Sequence, residues 1–196
     1  MIGVLALQGD FSKHIHILNL LGIPSIEVRY LDQFNKIDGL ILPGGESTVI
    51  SDLIDRHKLR GAIIELSKEK PILGTCAGLI MMSKNIDDNK VDTLGILDLH
   101  VKRNAYGAQL HSFNENLEIR MGGESTFISA SFIRAPKISK TGTDIEILST
   151  FNGHPVAVKE GKHIGLAFHP ELNTELLFHN YLFKNLKESV EIPIAN

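Results

Sequence analysis

Short apolar segments alternate with amphipathic ones along the first half of the chain. The apolar segments are bounded by polar or turn residues, which is typical of buried strands in a parallel sheet. One intervening segment has Ile15, Leu18 and Leu21 at a spacing of three, as an amphipathic helix requires. The pattern predicts strands that alternate with helices, the strands being Ile2–Leu7, Ile23–Val28, Gly39–Leu42 and Ile72–Gly74.

The second half of the chain has shorter apolar segments, separated by turn signals. Gly122-Gly123 and Asn152-Gly153 are dipeptides that favour tight hairpin turns. The last amphipathic segment predicts a helix over Asn173–Lys187, whose inward side chains would be Leu176, Leu177, Tyr181, Leu182 and Leu186. The strands expected here are Leu94–Val101, Leu117–Ile119, Phe127–Ile133, Ile145–Ser149, Val156–Val158 and Ile164–Phe168.

Together the two halves predict the fold class α/β, as a three-layer sandwich with a central, mostly parallel sheet and antiparallel additions. A chain of 196 residues is long enough for one well-buried core, so we expect a single domain over residues 1–196. The sequence contains no repeats, low-complexity segments or linkers. The tail, residues 189–196, is expected to fray.

Composition and charge narrow the classes of function. Hydrophobic residues make up 43% of the chain and charged residues 22%, and the net charge of −3 gives no electrostatic case for nucleic acid. A single cysteine excludes an internal disulfide framework and fits a reducing compartment. The apolar start, Met1–Leu7, lacks a basic region and is too short for a signal peptide or membrane span, so a cytoplasmic location is expected.

That one cysteine, Cys76, lies between two glycines in Gly74-Thr75-Cys76-Ala77-Gly78, where an apolar strand leads into a helix-compatible segment. This is the cysteine version of the nucleophile elbow, in which a tight turn lifts the side chain out of the sheet. A thiol at a helix N-terminus is also favoured as thiolate, the form that attacks carbonyl groups. From this segment alone, a nucleophile and a buried core thiol are both compatible with the sequence.

The first candidate partner for Cys76 is His169, in the segment Phe168-His169-Pro170-Glu171 after a predicted strand. Carboxyl ends of parallel strands share one edge of a sheet, so His169 is expected to lie near the elbow despite its distance in sequence. An imidazole serves a thiol as both base and acid, and Glu171 is placed to orient it. We interpret the other eight histidines as surface or partly buried residues: His14, His16, His57, His100, His111, His154, His163 and His179. None has metal-ligand spacing, and no metal or cofactor is expected.

A second candidate element follows the strand Gly39–Leu42, in the segment Pro43-Gly44-Gly45-Glu46-Ser47-Thr48. One interpretation is a turn followed by a helix that Ser47 or Thr48 caps. The alternative is a glycine loop whose backbone N–H groups point into the site and hold the oxyanion of a tetrahedral intermediate. It lacks the pattern of a phosphate-binding loop.

The segments around Gly44-Gly45, Cys76 and His169, in this chain order, resemble class I (triad) glutamine amidotransferases. Within that class, the opening Ile2–Gly9, the segment Val101–Gly107 and the segment Phe132–Pro136 are similar to the glutaminase subunits of pyridoxal 5′-phosphate synthases. The likeness extends from Ile2 to about Leu186, and the six motifs together make it specific.

The resemblance implies a glutaminase that hydrolyses L-glutamine to L-glutamate and ammonia, with the ammonia passing to a synthase subunit for pyridoxal 5′-phosphate (vitamin B6) biosynthesis. It further implies that Cys76 is the nucleophile, His169 the base and acid, and Glu171 the orienting carboxylate. The backbone N–H groups of Gly45 and Ala77 would form the oxyanion hole. The residues implied to bind glutamine are Gly45, Glu46, Ser47, Arg103, Ile133 and Arg134.

Two positions depart from the family pattern, and neither belongs to the triad. Ala108 stands where a basic residue is usual, and His111 stands where an acidic one is usual. The glycines of the Gly44-Gly45 loop suggest a further hypothesis: an inactive resting loop silences the enzyme until a partner docks. It predicts very slow glutamine turnover by the isolated subunit.

Other functions remain open from the sequence. A cysteine peptidase or hydrolase on a related α/β scaffold would share the elbow but not the later Phe-His-Pro-Glu segment. A non-catalytic regulatory subunit would usually have lost a member of the set Cys76, His169 and Glu171, which is complete here. The glutaminase of histidine biosynthesis is the nearest sibling, and the segments around Arg103 and Arg134 favour the vitamin B6 branch.

Overall fold

The protein is described here by a computed structural model that covers residues 1–103 and 112–186. Ala108, His111 and the tail at 189–196 lie outside these ranges. The strands of the described part, in chain order, are β1 Ile2–Leu5, β2 Ser25–Val28, β3 Gly39–Leu42, β4 Ile72–Thr75, β5 Ser83–Ile86, β6 Leu97–Lys102, β7 Ser112–Met121, β8 Glu124–Ile133, β9 Lys137–Thr141, β10 Glu146–Phe151, β11 His154–Glu160 and β12 His163–Leu166. The α-helices are α1 Phe11–Leu20, α2 Ser47–Arg56, α3 Arg60–Glu69, α4 Ala77–Met82 and α5 Leu177–Phe183.

Seven strands form the central sheet, in the order β10-β11-β12-β4-β3-β1-β2. The pairs from β2 to β12 are all parallel, whereas β11 pairs antiparallel with both β12 and β10. All residues of β1, β3, β4 and β12 are buried, as expected for strands covered on both faces. The predicted α/β class, with a mostly parallel sheet and antiparallel additions, is therefore confirmed.

Helices cover both faces of this sheet. Neighbouring residues of a strand point to opposite faces, and a β-carbon on Gly74 would lie 2.5 Å from Sδ of Met82 in α4. The next residue, Thr75, contacts His14 of α1 on the other face. Helices α1 and α4 therefore lie on opposite sides of β4, which gives the three layers. No helix within residues 1–103 and 112–186 has both the length and the apolar character that a membrane crossing needs.

The remaining strands form two small additions. Strands β5, β6 and β9 make a three-stranded sheet, and β7 and β8 make a hairpin. The hairpin turns at Gly122-Gly123, and β10 turns into β11 at Asn152-Gly153, with positive φ at all four residues. Both turns were predicted, and both are confirmed as the two-residue type that matches strand twist. Strands β5 and β9 were missed, since Lys84, Asn85, Lys140 and Thr141 interrupt any apolar pattern.

The predicted C-terminal helix was wrong in its start and only partly right in its inward face, since Leu177, Leu182 and Leu186 pack against the core as predicted. A 3-10 turn occupies Pro170–Asn173, and Thr174 then takes a positive φ of 53°, so α5 begins only at Leu177. Its buried residues are Phe178, His179 and Phe183, while Tyr181 is 39% exposed. The Phe183 ring packs closely on Gly39 of β3, 2.8 Å from where a β-carbon would lie, so a glycine is needed there.

Candidate functional site

The Cys76 elbow follows directly from β4, at the carboxyl edge of the central sheet. Cys76 has φ 49° and ψ −100°, a conformation that costs a non-glycine residue on the order of 1–3 kcal/mol. Its N–H donates to the Leu166 carbonyl oxygen of β12 at 2.8 Å, and its own carbonyl accepts from the Ile80 N–H of α4 at 3.2 Å. These bonds on both sides hold the strained turn in place.

The two glycines of the elbow have a different role from the predicted one. The flanking glycines were expected to tolerate the tight turn, but neither Gly74 nor Gly78 has a positive φ, and the strain lies at Cys76 itself. A β-carbon on Gly78 would lie 1.9 Å from the Leu42 carbonyl oxygen, and one on Gly74 would meet Met82. The glycines therefore allow α4 to pack directly against β3 and β4.

His169 and Glu171 reach the same edge from the neighbouring strand. Strands β12 and β4 pair in parallel with Leu166 opposite Thr75, so the segments after both strands leave the sheet side by side. The His169 N–H donates to the Ser131 carbonyl oxygen at 2.8 Å, which ties the segment to β8. Nδ1 of His169 lies 2.7 Å from Oε1 of Glu171, and both side chains are almost wholly buried. The fold therefore brings His169 and Glu171 to the carboxyl edge of the sheet where Cys76 lies, as expected.

The electrostatics of this group favour an imidazolium at position 169. Burial lowers the pKa of His169, but hydrogen bonds and charge from Cys76 and Glu171 outweigh it and raise the pKa to about 10. Burial raises the pKa of Glu171, but the His14 and His169 rings outweigh it, so the pKa of this carboxyl is lowered. The site therefore holds an ionised carboxylate against a cationic ring, with the Cys76 thiol on the other side of that ring.

The glycine loop after β3 lies against this ring. A β-carbon on Gly44 would be 2.3 Å from Cε1 of His169, so only glycine fits at this position. The Gly44 carbonyl accepts from the Asp10 N–H at 3.3 Å, and the Glu46 N–H donates to Oε1 of Gln8 at 2.9 Å. The loop is thus anchored on both sides to the segment that follows β1.

The predicted cap of the next helix was wrong. Helix α2 begins at Ser47, and its N-cap is Glu46 rather than Ser47 or Thr48. The Thr48 hydroxyl donates to the Glu46 carboxylate at 3.1 Å instead. The Glu46 side chain is therefore held at the helix start and remains available to the adjoining cavity.

A cavity of about 210 Å³ opens in front of Cys76. All six residues that the resemblance implied for glutamine binding line it, whereas Ala77, the first residue of α4, is buried and its side chain does not line the cavity. The lining residues are Gln8, Asp10, Gly45, Glu46, Ser47, Cys76, Ile80, Arg103, Ile133, Arg134 and His169. The cavity is small and bears charges of both signs, which suits a small zwitterion better than an apolar ligand.

Arg103 bridges two carboxylates at the cavity. Its Nη2 lies 2.6 Å from Oε1 of Glu46, and its Nη1 is paired with Oδ2 of Asp88. The side chain of Arg103 is 17% exposed, so the guanidinium is held largely out of solvent. A fixed guanidinium of this kind presents a planar fork that matches a carboxylate.

Sequence reasoning missed several residues at this site. Gln8 and Asp10 line the cavity, and their position after a buried strand is a signal that they share the edge with Cys76. His14, His163 and His179 are buried, so their interpretation as surface or partly buried residues was wrong. Spacing offered a signal for His14, which lies three and four residues before the buried Ile17 and Leu18. His16 is exposed, so the two histidines of α1 do not face one ligand.

Fold and site together define a class: α/β proteins in which a cysteine at a strand–helix elbow meets a histidine and a carboxylate. The sequence model of the SNO glutamine amidotransferase family matches residues 4–188 of the chain. The chain therefore belongs to the SNO glutamine amidotransferase family.

Individual relatives agree with this assignment. The chain is 49% identical over 188 residues to the pyridoxal 5′-phosphate synthase subunit PdxT of Oenococcus oeni, covering 96% of this chain and 97% of the relative. It is 45% identical over 188 residues to the subunit of the same name from Shouchella clausii, covering 95% of both chains. A solved structure described as a glutamine amidotransferase superposes with a TM-score of 0.86 at 38% identity, covering 92% of this chain and 96% of that one.

Proposed function

We propose that this protein is a glutaminase that hydrolyses L-glutamine to L-glutamate and ammonia, with Cys76, His169 and Glu171 as its catalytic triad. The observation that carries the proposal is the convergence of Cys76, His169 and Arg103 on one small cavity. An amide-hydrolysing thiol needs a base within reach and a binding group for the substrate. All of these are present at the same edge of the sheet.

In the proposed mechanism, the Cys76 thiolate attacks the side-chain carboxamide carbon of glutamine. The backbone N–H groups of Gly45 and Ala77 stabilise the oxyanion, and His169 gives its proton to the departing ammonia. The resulting thioester is hydrolysed by a water molecule that His169 activates as a base, which releases glutamate and restores the thiol. Glu171 keeps the imidazole in the orientation and tautomer that both steps require.

Recognition of a free amino acid follows from the charges of the cavity. The guanidinium of Arg103, and that of Arg134 beside it, match the substrate α-carboxylate, and Glu46 matches its α-ammonium. Gly45, Ser47 and Ile133 complete the glutamine site. Because Glu46 and Arg103 form an ion pair in the structure, the two groups are already placed close enough to bind one zwitterion.

The names of the relatives extend this proposal to a partner. Both curated relatives are subunits of pyridoxal 5′-phosphate synthases, and the chain covers nearly their full length. We infer that this chain delivers its ammonia to a synthase subunit for vitamin B6 biosynthesis, and that it does so in the cytoplasm as one glutaminase domain over residues 1–196. The loop at Gly44-Gly45 is the element through which docking of the partner would switch on the site.

An ammonia-release assay with L-glutamine, in the presence and absence of the synthase subunit, tests the proposal. The wild type should release ammonia with the partner and very slowly without it, and Cys76→Ala should abolish the release in both cases. Unchanged ammonia release by Cys76→Ala would end the glutaminase proposal. Cleavage of peptides in place of glutamine would favour the peptidase interpretation. Full activity of the isolated chain would reject the resting-loop hypothesis alone.

A further inference from the structure

A pair of fully buried histidines lies behind the triad carboxylate, outside the substrate cavity. His14 belongs to α1 and His179 to α5, and neither has any exposed surface. Nδ1 of His14 lies 2.9 Å from Nε2 of His179, so one ring donates a hydrogen bond to the other. Burying two imidazole rings costs free energy that burying two leucine side chains would not cost. A role that compensates for this cost is therefore expected.

The other ring nitrogen of His14 faces the triad. Nε2 of His14 lies 3.6 Å from Oε2 of Glu171 and 3.3 Å from the Thr75 hydroxyl oxygen. Oε2 is the carboxylate oxygen that does not bond His169, and it has no hydrogen-bond partner within the described ranges. His14 is thus placed at the open side of Glu171, opposite His169.

The contacts select one tautomer for each ring. Nε2 of His14 lies near two oxygens that can accept, the Thr75 hydroxyl and Oε2 of Glu171, and a lone pair there would face the negative carboxylate, so we assign the proton to this nitrogen. Nδ1 of His14 must then accept from Nε2–H of His179. This leaves Nδ1 of His179 as an unprotonated nitrogen, in agreement with its lack of an acceptor among residues 1–103 and 112–186. The opposite tautomers would bury an unpaired N–H there.

We propose that His14 is a positioning residue of the glutaminase: its Nε2–H faces the second oxygen of Glu171 at 3.6 Å and stabilises the charge on it electrostatically, and His179 fixes the tautomer that makes this possible. The proposal rests on the proposed function, since it extends the chain Cys76–His169–Glu171 by two buried rings. Glu171 then has a hydrogen bond to His169 on one side and the polar N–H of His14 close to its other oxygen. A carboxylate held in this way keeps its charge and rotamer, which is what His169 needs for orientation.

The charged and titratable groups around His14 are consistent with a neutral ring. It faces Glu171 from the 3-10 turn Pro170–Asn173, His169 beside that turn, Asp10 at the start of α1, and His179 from α5. Burial and the charge of His169 lower the pKa of His14 by more than Glu171 and Asp10 raise it, and burial together with His14 lowers the pKa of His179. Both rings therefore act as hydrogen-bonding groups and carry no charge at neutral pH.

The kinetic test compares His14→Leu, His14→Gln and wild type in the complex with the synthase subunit. His14→Leu keeps most of the volume but loses the donor, and we expect kcat to fall about 10- to 30-fold. KM should stay within twofold, because His14 does not line the substrate cavity. Since Glu171 loses a stabilising donor, its pKa should rise, and the acid limb of the kcat/KM profile should move to higher pH. His14→Gln, whose amide can place an N–H near the position of Nε2, should recover most of the loss.

His16→Leu is the matched control, because His16 lies in the same helix but is exposed. Active sites are counted in every variant by alkylation of Cys76, so that kcat refers to folded protein. A His14→Leu enzyme with kcat within twofold of wild type and an unmoved acid limb would overturn the proposal, even if it were less stable. So would failure of His14→Gln to exceed His14→Leu.

A second measurement does not depend on the activity of any variant. In the ¹⁵N spectrum of the histidine-labelled chain, His14 should show a protonated Nε2 and an unprotonated Nδ1, with assignment by His14→Gln. A protonated Nδ1 in His14 would overturn the proposal. This readout is independent of catalysis, whereas absence of ammonia release by the wild-type complex would reject the proposed function itself.

Discussion

Gly44 lies so close to His169 that a β-carbon at position 44 would sit 2.3 Å from Cε1 and 2.9 Å from Nδ1 of the imidazole. Nδ1 is the atom that bonds Glu171 at 2.7 Å. The glycine loop and the histidine are therefore fitted to each other, and any side chain at position 44 must move one of them.

This relationship predicts the effect of Gly44→Ala. The added methyl group should displace the His169 ring or the loop by about 1 Å, and a misplacement of this size commonly costs about 100-fold in rate. We expect kcat for glutamine hydrolysis in the complex to fall by this order while the folded state persists, as measured by ammonia release and circular dichroism. Gly61→Ala is the control, because nothing lies within 4 Å of its added β-carbon. Equal activity of the two variants would contradict the close fit.

The raised pKa of His169 predicts a pH-dependent stability. The pKa of His169 is about 10 in the folded protein, against 6.5 for an ordinary histidine. The contribution of His169 to the free energy of unfolding is therefore complete below pH 6.5 and is lost as the pH rises toward 10. Between pH 6.5 and pH 8 the loss should be about 2 kcal/mol, because one proton is bound only by the folded state. Urea unfolding at several pH values measures the free energy of unfolding of wild type and of His169→Gln. Subtracting one from the other removes the contributions of the other titrating groups.

The bond to Cys76 provides a check on this prediction. Since Cys76 is the first of the groups that raise the pKa of His169, Cys76→Ala should flatten the alkaline loss of stability. An equally steep loss in Cys76→Ala and in wild type would show that the thiol does not interact with the ring.

His163 predicts the opposite trend, on the acid side. It lies at the start of β12, where its Nδ1 accepts from the Ile72 N–H at 3.2 Å. Burial, with a smaller effect of Lys162, lowers its pKa to about 4. The unfolded chain therefore binds a proton at His163 that the folded protein does not bind. The free energy of unfolding should fall by about 2 kcal/mol from pH 6.5 to pH 5. His163→Gln should show a smaller acid loss in urea unfolding, whereas the exposed-residue variant His16→Gln should behave as wild type.

The two carboxylates held by Arg103 predict how substrate binding responds to Arg103→Lys. A lysine ammonium is a point charge and cannot match two groups as the guanidinium fork does. We expect KM for glutamine to rise about tenfold, which corresponds to about 1.4 kcal/mol, with a smaller change in kcat. Steady-state ammonia release in the complex measures both constants. Arg120→Lys, at an exposed ion pair with Glu118 on the hairpin, should leave them unchanged.

Much of the site was predictable from sequence, because a parallel sheet has only one carboxyl edge. Apolar strands ending at Leu42, Thr75 and Leu166 had to deliver their following segments to that edge, and so the glycine loop, Cys76 and His169 came together. The two hairpin turns were equally predictable, because a two-residue turn needs residues that adopt a positive φ. The dipeptides Gly122-Gly123 and Asn152-Gly153 supply them.

The strain at the elbow was not predictable in the same way. The sequence indicated glycines that relieve a turn, but the tight contacts of Gly74 and Gly78 with neighbouring elements show that they are there for close packing. Which residue carries positive φ depends on how α4 is pressed onto β3 and β4. That is a property of the packed layers and not of the five-residue motif.

Periodicity and turn chemistry are local, and from them the sequence predicts most of the strands and helices and places the segments of Cys76, His169 and Gly44-Gly45 at one edge of the sheet. What surrounds these side chains depends on tertiary packing: Asp88 lies beside Arg103, and His14 with His179 lies behind Glu171. His14 and His179 are 165 positions apart, and their meeting depends on α1 and α5 packing on the same face of the sheet. Contacts of this kind are set by the fit of whole elements, which no local pattern of residues encodes.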